Sequence, residues 1–272
     1  MKDIIVKNIG LSCYIDTLIA SLFCINTIIR AKLLNSYQDS YRVIYLQEFI
    51  RTNIVDNINN NKSILEKIII NLKKLLISIG WYDNFHHIEK VKELYAFLMK
   101  KLDGQLIYIE EEYLNYDKLN NDKKLAYIDI DVSNINENKN IQELLQNWIY
   151  NQQNRDIVKH IVNIPTFIGI NINRLYNGTV NNVMIDINKG ISPATYSVLD
   201  NKPVWGIHSI ICYEGDINKG HYYSLLNNNN EYFIYDNSNI PTIINVNIKN
   251  VDISKKIKQE CIFLIYRYIG YK

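Results

Sequence analysis

His221-Tyr222-Tyr223-Ser224-Leu225-Leu226-Asn227-Asn228-Asn229-Asn230-Glu231-Tyr232-Phe233-Ile234-Tyr235-Asp236 reads as a β-hairpin. Its flanks are rich in aromatic and aliphatic residues, as strands are, and the asparagines between them tolerate turn conformations. With Leu226 opposite Glu231 across a four-residue loop, His221 and Asp236 become direct cross-strand neighbours. Their Cβ atoms then lie about 5 Å apart on one face. At that distance a carboxylate holds an imidazole in one tautomer, the orienting role of a triad's third member. A bulge would shift this register, and a polar hairpin with an unrelated His and Asp is the competing reading of the stretch alone.

The partner of this hairpin stands near the other end of the chain, in Asn8-Ile9-Gly10-Leu11-Ser12-Cys13-Tyr14. Gly10 and Ser12 supply a turn and a capping-type residue. Beyond them Ile15, Leu18, Ile19, Leu22, Ile25 and Ile29 recur at helical spacing, predicting a helix from Tyr14 to Leu34. Cys13 falls at the positive end of that helix, where a thiolate is favoured. Asn8 stands where its side-chain NH2 can meet a developing oxyanion, joined by the Cys13 backbone N–H. Free cysteines are usually core residues, and Cys24, Cys212 and Cys261 sit in apolar runs that fit this. Cys13 begins its helix instead. A cysteine at a helix start, a histidine and a carboxylate are the parts of thiol-based acyl transfer.

These residues carry a family resemblance. Asn8 to Tyr14 resembles the cysteine box of the ubiquitin-specific proteases, Asn-Leu-Gly-Asn-Thr-Cys-Tyr, and Gly220 to Ser238 resembles their histidine box. Lesser matches lie between in the family's order: Glu93 to Leu98, Ile141 to Leu145, Ile164 to Leu175 and Ile207 to Gly215. The resemblance spans nearly the whole chain. It implies an α+β, papain-like cysteine protease fold, with a helical thumb at 1–105 packed on an antiparallel β palm at 106–272, together one catalytic domain. It also implies Cys13 as nucleophile, His221 as general base and then acid, and Asp236 as the residue orienting the imidazole. Asn8 would serve the oxyanion hole, and Asn237 would be a second polar helper. Gly215 to Gly220 would form a mobile loop beside the channel for the substrate's C-terminal tail, with Gly220 and Tyr222 lining that channel. The substrate so implied is ubiquitin or a ubiquitin-like modifier and its conjugates, cleaved after the C-terminal glycine.

The chain departs from the family pattern twice. Aligning on Glu93 puts Lys90 where the family carries an Asp that engages arginines of ubiquitin's tail. Either Glu89 takes over that role, or the tail is read otherwise, or the modifier differs. On this reading Lys90→Asp would speed processing. The family's fingers usually carry two Cys-x-x-Cys pairs that bind zinc. Here no Cys-x-x-Cys occurs, and only Tyr150 to Asn163 separates the segments that flank the fingers, so that subdomain is expected to be reduced or absent.

Composition fits a compact enzyme. The 272 residues are 47% hydrophobic and 21% charged, ordinary globular values, and the net charge of +2 gives no reason to expect nucleic acid or anionic membrane. Four cysteines without paired spacing argue against a disulfide scaffold or a zinc site, and favour a reducing compartment, cytoplasmic or nuclear. No cofactor or metal is expected. The apolar run from Ile9 to Ile29 has the length of a signal or membrane segment. Asp16 near its middle would cost about 3 kcal/mol to insert, so a buried helix is the better reading.

The first ~105 residues read as mostly helical and the rest as mostly strands. Ser63 and Glu66 form a candidate capping box, the stripe from Leu65 to Ile79 a helix, and Gly80 its stop. Later strands read at 126–132, 166–173, 180–187, 204–213 and 260–268. His86-His87 lacks partners at metal-ligand spacing, and surface or capping roles are its expected ones. Two readings compete with a deubiquitinase: another Cys-His-Asp acyl-transfer enzyme, such as a papain-like protease or arylamine acetyltransferase, and a ubiquitin-binding scaffold without turnover.

Overall fold

The computed structural model describes residues 12–271 except 26, 36, 38–39, 61, 105, 114–122, 151–156, 194–201 and 240. They form two compact units, one of residues 12–104 with 209–254, the other of 106–208 with 255–271. In chain order the first unit supplies α1 (Cys13–Phe23), α2 (Thr27–Leu34), α3 (Tyr41–Ile50), α4 (Asp56–Asn59), α5 (Glu66–Ser78) and α6 (Lys90–Lys101). The second follows with β1 (Ile107–Tyr113), β2 (Lys123–Leu125), β3 (Tyr127–Asp131), β4 (Lys139–Asn140), α7 (Ile141–Tyr150), β5 (Ile157–Ile161) and β6 (Phe167–Asn173). Short pairings β7 (Leu175–Tyr176), β8 (Thr179–Val180), β9 (Ile185–Asp186) and β10 (Gly190–Ile191) lead to β11 (Pro203–Gly215). Then come β12 (Gly220–Asn228), β13 (Glu231–Tyr235), β14 (Ile243–Val246), α8 (Val251–Glu260) and β15 (Cys261–Tyr271).

The apolar N-terminal run makes two helices rather than the single one expected, and every residue of α1 is buried. A helix this apolar all round belongs in a core. Among the described residues no single helix is long and apolar enough to cross a membrane. α1 packs on β12, α6, α2 and α5. α5 starts at Glu66, with Leu65 rather than Ser63 in the cap position. Its end is as expected. Gly80 takes φ +101°, Gly80 N–H donates to Ile77 (3.0 Å) and Trp81 N–H to Leu76 (3.0 Å), a Schellman ending that delivers Trp81 into the core.

Within the first unit the order β14-β13-β12-β11 is an antiparallel meander. Its central hairpin corrects the expected register. Asn228 pairs with Glu231, so the loop is only Asn229-Asn230, with φ of 53° and 71°. Two left-handed residues make the tight turn whose twist suits a hairpin, and asparagine tolerates that conformation better than most residues. The ladder ends at Ser224–Tyr235, before either His221 or Asp236. The register is offset by two residues from the one expected, an even number, which leaves the side-chain faces unchanged.

The second unit carries β15-β6-β3, in which β3 runs parallel to β6, and a separate antiparallel sheet β2-β1-β5 that sequence patterning missed. The strand expected at 180–187 survives only as Thr179–Val180 and Ile185–Asp186. Arg174, just past β6, is 1% exposed. Its guanidinium donates to the carbonyls of Cys261 (2.7 Å), Asn181 (2.9 Å), Val183 (2.7 Å) and Lys258 (2.9 Å). One side chain thereby ties β6 to the turn before β9 and to the α8–β15 junction.

Among the described residues no group of three or more His, Cys, Asp or Glu side chains is placed to hold a metal ion. Structural zinc contributes folding free energy, so a zinc-dependent fold would melt earlier in chelator. Thermal melts with and without a strong chelator are expected to coincide; a large downward shift would reveal a site built from scattered ligands.

Candidate active site

Cys13, His221 and Asp236 all belong to the first unit. Cys13 is the first residue of α1 and 8% exposed. Ser12 precedes it at the cap, but its hydroxyl turns to the Asp16 carboxylate (3.4 Å) instead of a backbone N–H. Thr17, one turn further along α1, donates to the Tyr222 carbonyl (3.3 Å), fastening the cysteine's helix to the histidine's strand.

His221 Nε2 lies 2.7 Å from Asp236 Oδ1. Although the two are not paired in the ladder, side chains two positions off register on one face still meet. Asp236 stands just beyond β13, where its N–H donates to Thr242 (2.8 Å). Its Oδ1 also accepts from the Ser238 N–H (2.9 Å) and hydroxyl (2.7 Å), and its Oδ2 from Asn239 (2.6 Å). Burial works against its charge, but the His221 and Ser238 hydrogen bonds outweigh it and hold the carboxyl at about 2. An ionised carboxylate only accepts, so Nε2 of His221 donates and Nδ1 is left for the thiol. Asp236, and then Cys13, raise His221 to about 9. Burial alone would push the Cys13 thiol up; hydrogen bonds from His221, His87 and the Tyr222 backbone reverse this and bring it to about 6.

These values set a pH window. The thiolate–imidazolium pair is populated between about 6 and about 9, so alkylation of Cys13 is expected to rise through the first value, and turnover to fall through the second. The stability linked to His221 is complete below its ordinary 6.5 and is lost as pH rises through about 9. That linked to Asp236 is present above its ordinary 3.8 and disappears as pH falls through about 2. Urea midpoints measured across pH test both limbs.

The other expected site residues are placed as follows. Asn8 lies outside the described residues. Asn237 is 3% exposed, and its amide donates to Asp16 Oδ2 (2.7 Å). Asp16 lies three residues after Cys13, on the same helix face. That spacing is legible in the sequence, although by itself it marks Asp16 only as a bar to membrane insertion. Tyr222 is fully buried, its hydroxyl donating to the His87 carbonyl. Gly220 pairs with Gly215, and a Cβ on it would strike the Tyr213 ring and the Glu214 carbonyl. The bend between them, expected to be mobile, is fastened: Asp216 accepts from Asn218 and Lys219 N–H (2.8 Å each) and Ile217 accepts from His87 N–H (3.2 Å).

Two expectations are corrected. His87 is buried (9% exposed), its ring between those of Tyr213 and Tyr222, and is not a surface residue; no local pattern announces this, because only tertiary packing brings these residues together. Lys90 is engaged inside the chain, with its ammonium 2.8 Å from Asp83 and 5.4 Å from the Tyr14 ring centroid. Glu89 pairs with Lys92 at 3.0 Å. Lys90→Asp would set a carboxylate beside Asp83. The expected result is therefore a loss of about 1–3 kcal/mol of stability, read as a lower urea midpoint, rather than faster processing.

The family model of the ubiquitin carboxyl-terminal hydrolases matches residues 6–266, and the chain belongs to that family. Among solved structures it is similar to the SAGA Ubp8/Sgf11/Sus1/Sgf73 DUB module, with TM-score 0.73 and 13% identity over 100% of this chain and 68% of that one. The same module bound to ubiquitin aldehyde gives TM-score 0.71 and 13% identity, over 100% and 70%. A yeast SAGA DUB module with an Sgf73 mutant gives 0.64 and 12%, over 100% and 67%. No curated protein sequence matches. The fold is thus the α+β, papain-like one that the two boxes imply.

Proposed function

We propose that this chain is a thiol-dependent deubiquitinase, a single catalytic domain that hydrolyses peptide or isopeptide bonds after the C-terminal glycine of ubiquitin or a ubiquitin-like modifier. The observation that carries the reading is the His221 imidazole held by Asp236 at 2.7 Å, on the strand fastened to the helix that Cys13 begins. Cys13 Sγ attacks the glycine carbonyl, and the His221 imidazolium protonates the departing amine. The resulting thioester is hydrolysed by water that gives its proton to His221, and the thiolate leaves. Asn8 and the Cys13 backbone N–H are assigned to the oxyanion, following the family motif. A reducing compartment, cytoplasmic or nuclear, suits such a thiol.

Purified protein treated with a ubiquitin probe bearing a C-terminal electrophile should form an adduct at Cys13. A binding module would capture the probe without the bond, and an unrelated acyl-transfer enzyme would ignore it. Glu89, with 29% of its side chain exposed, is assigned to the modifier's basic tail. Glu89→Lys should lower kcat/KM severalfold at low salt, on the order of 1 kcal/mol, and added salt should shrink the difference. An unchanged kcat/KM would remove Glu89 from the tail site.

A further inference from the structure

α1 buries two adjacent polar side chains in a mostly apolar helix, Asp16 at 1% and Thr17 at 0% exposure. Each is bonded to the residue that directly follows a member of the candidate triad. Asp16 Oδ2 accepts from the Asn237 amide at 2.7 Å, and Asn237 follows Asp236. The Thr17 hydroxyl donates to the Tyr222 carbonyl at 3.3 Å, and Tyr222 follows His221. Asp16 Oδ2 also accepts from the hydroxyl of Ser12 (3.4 Å), the residue before Cys13. One carboxyl oxygen thus joins the start of α1 to the turn that carries Asp236. A carboxylate oxygen only accepts, so the NH2 of Asn237 is the donor. Replacing such a buried pair by apolar groups of the same shape is often neutral for stability. What apolar contact does not supply is a single fixed geometry, whereas a hydrogen bond weakens steeply off its line.

We infer that Asp16 and Asn237 are positioning residues: their bond, with the Thr17 bond one residue on, sets where Cys13 stands against His221 and Asp236. The inference deepens the proposed function and rests on Cys13 being the nucleophile there. Neighbouring residues of a helix project about 100° apart around its axis, so bonds from Asp16 and Thr17 reach two different elements. A rotation or a slide of α1 would stretch at least one of them. Thiol attack and proton transfer need heavy atoms about 3 Å apart, and a misplacement of about 1 Å costs on the order of a hundredfold in rate. The mounts therefore stand where small errors cost most, one residue beyond His221 and one beyond Asp236. Asn237, for which the boxes imply a polar helper, acts in this arrangement by holding Asp16.

The test separates the bond from simple stability. Asn237→Asp replaces the donor by an acceptor. On a fluorogenic ubiquitin C-terminal substrate, assayed well below each variant's melting midpoint, kcat should fall roughly tenfold to a hundredfold with KM within about twofold. Asp16→Asn keeps an amide oxygen that Asn237 can still donate to, and should lose far less. Combining Asp16→Asn with Asn237→Asp restores an N–H···O bond with its direction reversed, and should recover most of kcat. A reversed pair no faster than Asn237→Asp alone would overturn the inference. So would an Asn237→Asp that melts earlier with kcat unchanged. Should Asn237→Asp fail to fold, Asp16→Ala, Asn237→Ala and their double decide instead: a double no slower than either single supports the pair, and additive losses overturn it. Iodoacetamide reads the same geometry without a modifier, forming a carbon–sulfur bond with the Cys13 thiolate and expelling iodide. The acid limb of its pH profile should move upward in Asn237→Asp and return in the reversed pair; identical profiles would overturn the positioning role. Wild type that ignores the ubiquitin substrate while these alkylation shifts hold would overturn the modifier reading alone.

Discussion

Cys13→Ala is expected to abolish turnover of a fluorogenic ubiquitin C-terminal substrate, by about 10³-fold or more, with the melt of the protein nearly unchanged. Removing one sulfur at the first position of α1 leaves the helix and its packing intact, since alanine is the best helix former and the site is already lined by neighbours. A triad without its nucleophile keeps only the catalysis of binding and oxyanion stabilisation. The comparison needs both readouts, initial rates and a thermal melt. Activity retained within a factor of a few in a folded Cys13→Ala would remove Cys13 as the nucleophile, and with it the proposed chemistry.

The largest expected effect on stability lies away from that chemistry, at Arg174. Its donors are shared among the carbonyls of Asn181, Val183, Lys258 and Cys261, the guanidinium itself being buried and its bond to Cys261 fully so. Arg174→Ala leaves the buried Cys261 carbonyl unpaired, loosens the other three and opens a void, costing about 3–5 kcal/mol. Arg174→Lys should recover only part, because an ammonium has no planar fork to span several carbonyls at once. Urea denaturation compares the variants; a midpoint for Arg174→Ala within error of wild type would show that the guanidinium's bonds are not needed.

What the sequence disclosed followed from short-range chemistry. The positions of Cys13 and His221, the end of α5 at Gly80 and the strands at β6, β11 and β15 rest on local patterns that tertiary packing reinforced. The hairpin was legible, but its register turned on whether two or four asparagines form the loop, and asparagine suits both. Charge compensation was not legible. Lys90 and Asp83 are seven positions apart with a turn between them, so only the folded chain reveals that the lysine is neutralised. His87 was hidden for the same reason, and Asp236's hydrogen bonds to Ser238 and Asn239 depend on a turn shape that composition suggests but does not fix.

The bond from Thr17 to the Tyr222 carbonyl joins residues 205 positions apart. α1, buried at every position, is made before the strand that covers it. At ordinary elongation rates of 5–20 residues per second that interval is roughly 10–40 s. For that time an eleven-residue apolar helix has no sheet to lie against. During that interval its apolar surface is exposed to water, and His221 on β12 is not yet present beside Cys13. A Cys13–His221 site divided in this way cannot be assembled until both ends of the described chain have been made.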